Sequence, residues 1–247
     1  MPGAMSRGSF YDDFPATSIL IVTCIGFYGL EVIYQHKIHE TPLTQALWMG
    51  GGDDILLSLG ATNDRRLAAG EVWRLISYAF LHGGIAHILL NMLALSSLGR
   101  TCEPMLGTHR LTVVYITTGV AAALASVGFR YVVGSPSTVG VGASGALFGL
   151  VGLLFGLSFR HRDRHLRNDL LYSLIPLAIL SLFVGAIDHT AHAGGALAGI
   201  GFGFFTPRYV SSGSARRWRM PCYICVALTV VSLGFAVWNR LSIPIPR

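Results

Sequence analysis

Seven apolar runs divide the chain, at roughly 16–34, 84–99, 111–129, 143–159, 170–187, 190–206 and 222–239. Each is near the ~20 residues that a helix needs to cross the hydrocarbon of a bilayer. Backbone groups cannot stay unpaired in lipid, so the pattern predicts a bundle of membrane-spanning helices. The second, fourth and sixth runs are shorter and predict helices that stop below the membrane surface.

The polar interludes set an expected orientation. The segment 160–169 reads RHRDRHLRND and carries Arg160, Arg162, Arg164 and Arg167. The segment 207–221 holds Arg208, Arg216, Arg217 and Arg219, and the turn near 100–110 holds Arg100 and Arg110. If seven helices alternate, all three fall on one side. The positive-inside rule makes that side cytoplasmic, together with an N-terminal tail over 1–15. The segment 35–83 then lies outside. It combines Pro42, glycines at 50–52, charges and the apolar pieces ALWM and ILLSL. That is too long and too apolar for a plain linker, and predicts an interfacial loop dipping partly into the membrane.

Composition agrees with this architecture. Of 247 residues, 52% are hydrophobic and 12% charged, with a mean hydropathy of +0.57. An ordinary soluble domain carries about 25% charged residues. The expected class is all-α, a polytopic transmembrane bundle of seven spans. The net charge of +6 then reads as arginines in cytoplasmic loops, not as a nucleic-acid surface. The first apolar run lacks a basic leader and a clear cleavage site, so it reads as a retained anchor. Cys222 and Cys225 form a lone CxxC with neither a second pair nor a βαβ context, so these thiols, with Cys24 and Cys102, read as packing residues.

Polar groups inside spanning helices are costly and raise functional hypotheses. In LHGGIAHILLNM (81–92), His87 and Asn91 lie four apart on one helical face, and His82 precedes the Gly83-Gly84 break. They can serve as hydrogen bonds between helices or as donors to a ligand. In VGVGASGALFG (139–149), Ser144 opens the fourth helix on the outer side. The first N–H groups of a helix lack partners within it. Ser144 is therefore either an N-cap or a nucleophile beside free donors. Glycines at 145, 149, 152 and 156 make one stripe that admits a neighbouring helix. His192 opens the sixth helix, and Gly195, Gly199 and Gly203 follow on its face. Packing the fourth and sixth helices brings Ser144 and His192 to one depth, where a neutral imidazole can take the hydroxyl proton. Glu71-Val-Trp73-Arg74 reads as an interfacial ring with a snorkelling cation. Glu103 reads as a structural partner for loop backbone or for an arginine.

Other chemistries fit poorly. The chain has no HExxH, no paired aspartates in neighbouring helices, no phosphate-binding loop and no dinucleotide fingerprint. A metal set drawn from His82, His87, His189 and His192 has only Asp188 as a nearby carboxylate. No metal and no cofactor are expected.

Taken together, EVWRLISYAFLH, HGGIAHILLN, GASG and AHAGG, in this order over roughly 60–205, resemble the rhomboid family of intramembrane serine proteases. The resemblance implies a six-helix catalytic core over 16–206, with 35–83 as its outer loop. A basic linker at 207–221 and an added helix with a short tail at 222–247 follow. It implies Ser144 as nucleophile and His192 as general base. His87, Asn91 and the Ser144 N–H would form the oxyanion hole. Gly142 and Gly145 would shape the turn, Gly195 the helix contact, and Trp73-Arg74 the outer loop. His82 and Asp188 would support them, and His189 has no assigned role. Substrates would be transmembrane segments of other proteins. The expected setting is the lipid bilayer of a bacterial inner membrane, with the N-terminus cytoplasmic and the site opening outward. Two other readings remain beside it: a relative that binds membrane proteins without cutting them, and a transporter using the histidines as a relay.

Overall fold

The computed structural model describes residues 10–135, 137–181, 187–205, 207 and 212–243. Among them the order is α1 (Phe10–Asp13), α2 (Pro15–His39), then four short helices: α3 (Leu43–Met49), α4 (Asp53–Ser58), α5 (Asp64–Ala68) and α6 (Arg74–Ser77). The long helices α7 (Ile85–Leu106), α8 (Thr108–Val133), α9 (Ser144–Arg160), α10 (Arg164–Ser181), α11 (His189–Phe205) and α12 (Ser212–Leu241) follow. Each predicted apolar run falls in one long helix. Part of the run 170–187, most of the expected N-terminal tail and part of the 207–221 linker lie outside the described residues.

Among the described residues four helices, α2, α7, α8 and the Arg216–Leu241 part of α12, are long and apolar enough to cross a membrane. Helices α9 and α11 have 17 residues each, or ~25 Å at ~1.5 Å per residue, less than the ~30 Å of hydrocarbon. The second run departs from expectation. Its helix is not short: α7 continues seven residues past 99, through Arg100 and Glu103, to Leu106. Glu103 makes this polar extension stable. Its carboxylate is buried and accepts from the backbone N–H groups of Ala16 (2.9 Å) and Thr17 (3.0 Å), and from the hydroxyls of Thr17 (2.6 Å) and Thr108 (2.9 Å). It thus closes the buried start of α2, where N–H groups lack helical partners. Among the described residues its partners are backbone N–H groups and hydroxyls at the start of α2 and of α8.

Helix α9 packs against both α8 and α11, which also touch each other. Glycine makes the contact with α11 possible. A β-carbon on Gly195, Gly199 or Gly203 would strike the backbone carbonyl of Gly145, Gly149 or Leu153. Likewise, Gly152 and Gly156 meet the carbonyls of Ala196 and Ile200. The α9 stripe does not serve one neighbour only, however. Gly145 and Gly149 also admit the side chains of Ala122 and Thr118 from α8. Helices that approach backbone to backbone gain dispersion contacts that lipid cannot supply.

Helices α3–α6 form a folded loop at the end of the bundle that carries the N-termini of α9 and α11, called here the loop end. The loop centres on Arg74, which is fully buried. Its Nη1 donates to the carbonyls of Leu57 (2.6 Å) and Ala61 (2.9 Å), and its Nε to Glu71 (2.7 Å). The expected snorkelling cation is therefore corrected. The loop carbonyls of Leu57 and Ala61 draw the guanidinium inward, and it lies 4.5 Å from the Trp73 ring centre. The far end of α12 closes the loop from outside. Phe235 stacks on Trp73 with ring centres 6.3 Å apart, Asn239 donates to the Ser58 carbonyl at 2.7 Å, and Arg240 lies over the Tyr34 ring. All four cysteines are buried free thiols, in keeping with their reading as packing residues.

The Glu71–Arg74 contact gives a pH expectation. Burial works to raise the Glu71 carboxyl, but the hydrogen bonds and charges of Arg74 and Arg66 outweigh it and hold it below the ordinary carboxylate range. A depressed folded-state value stabilises the loop above the unfolded value, and that contribution is lost as pH falls through the folded value. Limited proteolysis of the 43–83 loop should therefore quicken in the wild type as pH falls below the ordinary carboxylate range. In Glu71→Gln it should already be quicker at pH 7, with little further change on acidification.

Candidate active site

Ser144 is the first residue of α9, and the chain before it is held at two points. Thr62 and Gly140 exchange backbone hydrogen bonds of 2.9 Å each, and Gly142 donates its N–H to the Tyr78 carbonyl at 3.0 Å. Gly142 has a φ of 118°, a region that favours glycine, and a β-carbon there would lie 2.7 Å from His87 Nε2. This position therefore demands glycine twice. The turn leaves the N–H groups of the first turn of α9 without helical acceptors.

His192 lies in the first turn of α11, four residues after Asp188, and its N–H donates to the Asp188 carbonyl at 3.1 Å. Its Nε2 is 2.8 Å from Ser144 Oγ. The ring lies flat on Phe148, with centres 4.2 Å apart and planes at 13°. Phe148 is one helical turn beyond Ser144, so a single helix supplies both the hydroxyl and the surface that orients the imidazole.

His87 and Asn91 stand one turn apart on α7 and face the same place. The Gly83 N–H donates to His87 Nδ1 at 3.3 Å, so in the neutral ring the proton sits on Nε2. Asn91 is 5% exposed, and its Nδ2 has no hydrogen-bond partner among the described residues. A β-carbon on Gly142 would lie 3.7 Å from that nitrogen. Two side-chain donors thus point past Gly142 toward the start of α9.

The remaining expected residues lie around this group. His82 is fully buried and meets His87 edge-on at 5.1 Å between ring centres. Its backbone N–H donates to Glu31 Oε1 of α2 at 3.0 Å. Gly145 and Gly195 are at the α9–α11 contact. Trp73 and Arg74 belong to the loop core described above. Asp188 caps α11: its Oδ1 accepts from Ala191 N–H (2.9 Å) and from the Thr190 hydroxyl (2.7 Å). His189 is exposed, with its ring centre 6.5 Å from that of His192. Among the described residues, no group of three His, Cys, Asp or Glu side chains could hold a metal ion. Sequence reasoning missed Phe148, Glu31 and Tyr78. Only Phe148 carried a usable signal, its i+4 spacing from Ser144.

The family model described as Rhomboid domain matches residues 69–209. The chain is 35% identical over 191 residues to RHOMBOID-like protein 5 of Arabidopsis thaliana, a match covering 72% of this chain and 61% of that one. It is 33% identical over 193 residues to Rhomboid protease GluP of Bacillus subtilis (strain 168), covering 76% of this chain and 36% of that one. It is also 35% identical over 173 residues to Rhomboid-like protease 5 of Toxoplasma gondii, covering 67% and 20%. The match therefore takes in less than two thirds of the length of each of these relatives. The family match extends from the Trp73-Arg74 loop through both short helices, α9 and α11, and the chain belongs to the rhomboid family.

Proposed function

We propose that the protein is an intramembrane serine endopeptidase. The observation that carries this reading is the 2.8 Å contact between Ser144 Oγ and His192 Nε2, beside unpartnered donors. In the reaction, Ser144 Oγ attacks a substrate carbonyl and its proton passes to His192 Nε2. The oxyanion that forms is met by the Ser144 N–H, His87 Nε2 and Asn91 Nδ2. Collapse breaks the C–N bond, and His192 gives its proton to the departing amine. A water, deprotonated in turn by His192, then hydrolyses the acyl ester.

The substrate is the transmembrane segment of another protein. A stable helix hides its peptide bonds, so the bond to be cut lies where that segment unwinds, a place that small residues favour. The short α9 and α11 support access of water from the loop end. The arginine-rich opposite end supports a cytoplasmic N-terminus, with the site opening to the extracytoplasmic side. The matched relatives come from a bacterium, a plant and a parasite, and they select no single organism. A binding-only role is disfavoured because both Ser144 and His192 are present and in contact.

A fluorophosphonate probe in mild detergent tests the reading. The wild type should label, and Ser144→Ala and His192→Ala should not. Equal labelling of all three would put the nucleophile elsewhere and overturn the assignment. His87→Ala and Asn91→Ala should each lower kcat by ~10²–10³. KM should change little, because these donors act mainly on charge that develops during attack. A rise in KM at unchanged kcat, in a proteoliposome cleavage assay, would instead make them substrate-binding groups.

A further inference from the structure

Arg130 lies in the last turn of α8 and is 8% exposed. Burying a guanidinium is costly unless it is paired, and here two carboxylates from distant segments pair with it. Its Nη1 donates to Asp188 Oδ2 at 3.2 Å and to Ser126 Oγ at 2.6 Å, and its Nε and Nη2 each lie 3.3 Å from Asp64 Oδ1. Ser126, one turn earlier on α8, donates to the same Asp188 oxygen. Asp188 thus divides its two oxygens. One caps α11 and the other ties that cap to α8.

The tie matters because of where His192 sits. The glycine contacts that hold α11 against α9 begin at Gly195, beyond His192. A first helical turn has few hydrogen bonds of its own and frays readily. His192 therefore depends on the cap for its position, and the cap depends on Arg130. The same loop segment also holds the serine side. Thr62 pairs with Gly140, four residues before Ser144, Asn63 donates to the Ser137 hydroxyl at 2.8 Å, and Asp64 pairs with Arg130. Residues 62–64 are thus a common brace for both reacting side chains.

We infer that Arg130 is a positioning residue: through its ion pair with Asp188 it fixes the first turn of α11, so that His192 Nε2 stays within hydrogen-bond reach of Ser144 Oγ. This inference rests on the serine-protease reading above. A displacement of about 1 Å at a reacting group can cost ~10²-fold in rate.

The test uses the full chain in proteoliposomes, with a single-pass reporter whose transmembrane segment carries an Ala-Gly pair. It measures kcat, KM, the rate of fluorophosphonate labelling and the thermal unfolding midpoint. Asp188→Asn is the discriminating variant, because asparagine keeps an oxygen to cap Ala191 and loses the charged oxygen that accepts from Arg130 and Ser126. Asp188→Asn and Arg130→Gln should each lower kcat and labelling by roughly 10–100-fold, with KM and the midpoint near wild type. Arg130→Lys should recover part of the loss. The double variant Arg130→Gln/Asp188→Asn should be no slower than the slower single variant, since one interaction is removed once. Wild-type kcat and labelling in Asp188→Asn would overturn the inference. So would losses that follow the unfolding midpoint while the molecules still folded label at the wild-type rate. A folded wild type that neither labels nor cleaves would overturn the protease reading itself, a result distinct from variants that label as fast as a reactive wild type.

Discussion

Ser144→Ala and His192→Ala should each lower peptide cleavage in proteoliposomes by ~10⁴-fold or more, and the double variant should be no slower than either alone. The reason is mechanical. Without Oγ there is no acyl intermediate, and without Nε2 at 2.8 Å nothing accepts the proton as the hydroxyl attacks. Each group is useless without the other, so the losses do not add. The unaltered donors at His87 and Asn91 would leave only weak residual activity. Single-turnover cleavage of a reporter transmembrane segment measures this directly. Independent, additive losses would mean that the two residues act in separate steps, and the dyad would have to be abandoned.

Gly199→Val should unfold the site from within. A β-carbon at Gly199 would collide with the Gly149 carbonyl and crowd the Leu153 nitrogen. Both obstacles are backbone, so no side chain can swing away. Overpacking of this kind costs about 1–3 kcal/mol or more, and the relief available is to push α11 off α9. That movement separates His192 from Ser144, so labelling should disappear together with a fall in the unfolding midpoint. Gly201→Ala, two residues along the same helix, is the control. Nothing lies within 4 Å of its added carbon, and alanine favours helix by roughly 0.5–1 kcal/mol. It should leave labelling intact and stability equal or higher. Equal behaviour of the two variants would show that the α9–α11 contact does not depend on glycine.

How far the chain could be read varied with how local the determinant was. The runs at 111–129 and 143–159 predicted α8 and α9 well, because a continuous apolar segment in lipid has to satisfy its own backbone. The run at 84–99 underestimated α7, because Glu103 looks like a helix end until its partners at Ala16 and Thr17 are known. Arg74 was misread as snorkelling for the same reason. Its acceptors, the carbonyls of Leu57 and Ala61, are 17 and 13 residues away, and no periodicity reports them. Arg130 was not singled out in the sequence, because its role requires two carboxylates from other segments.

By itself, then, the sequence determined the helical character of the chain, the order of its runs, and the serine, histidines and asparagine that the family resemblance picks out. These are properties of composition and spacing within a few turns, where apolar continuity and N-terminal placement act locally. Only the tertiary structure decided that Ser144 meets His192 across 48 residues, that the α9 glycines serve two neighbours, and that Arg130 joins Asp64 to Asp188. Such contacts depend on how deeply each helix sits and which face it turns to the next. Those are fixed by backbone-to-backbone packing and buried charge pairing among several helices at once, and no single stretch of chain encodes them.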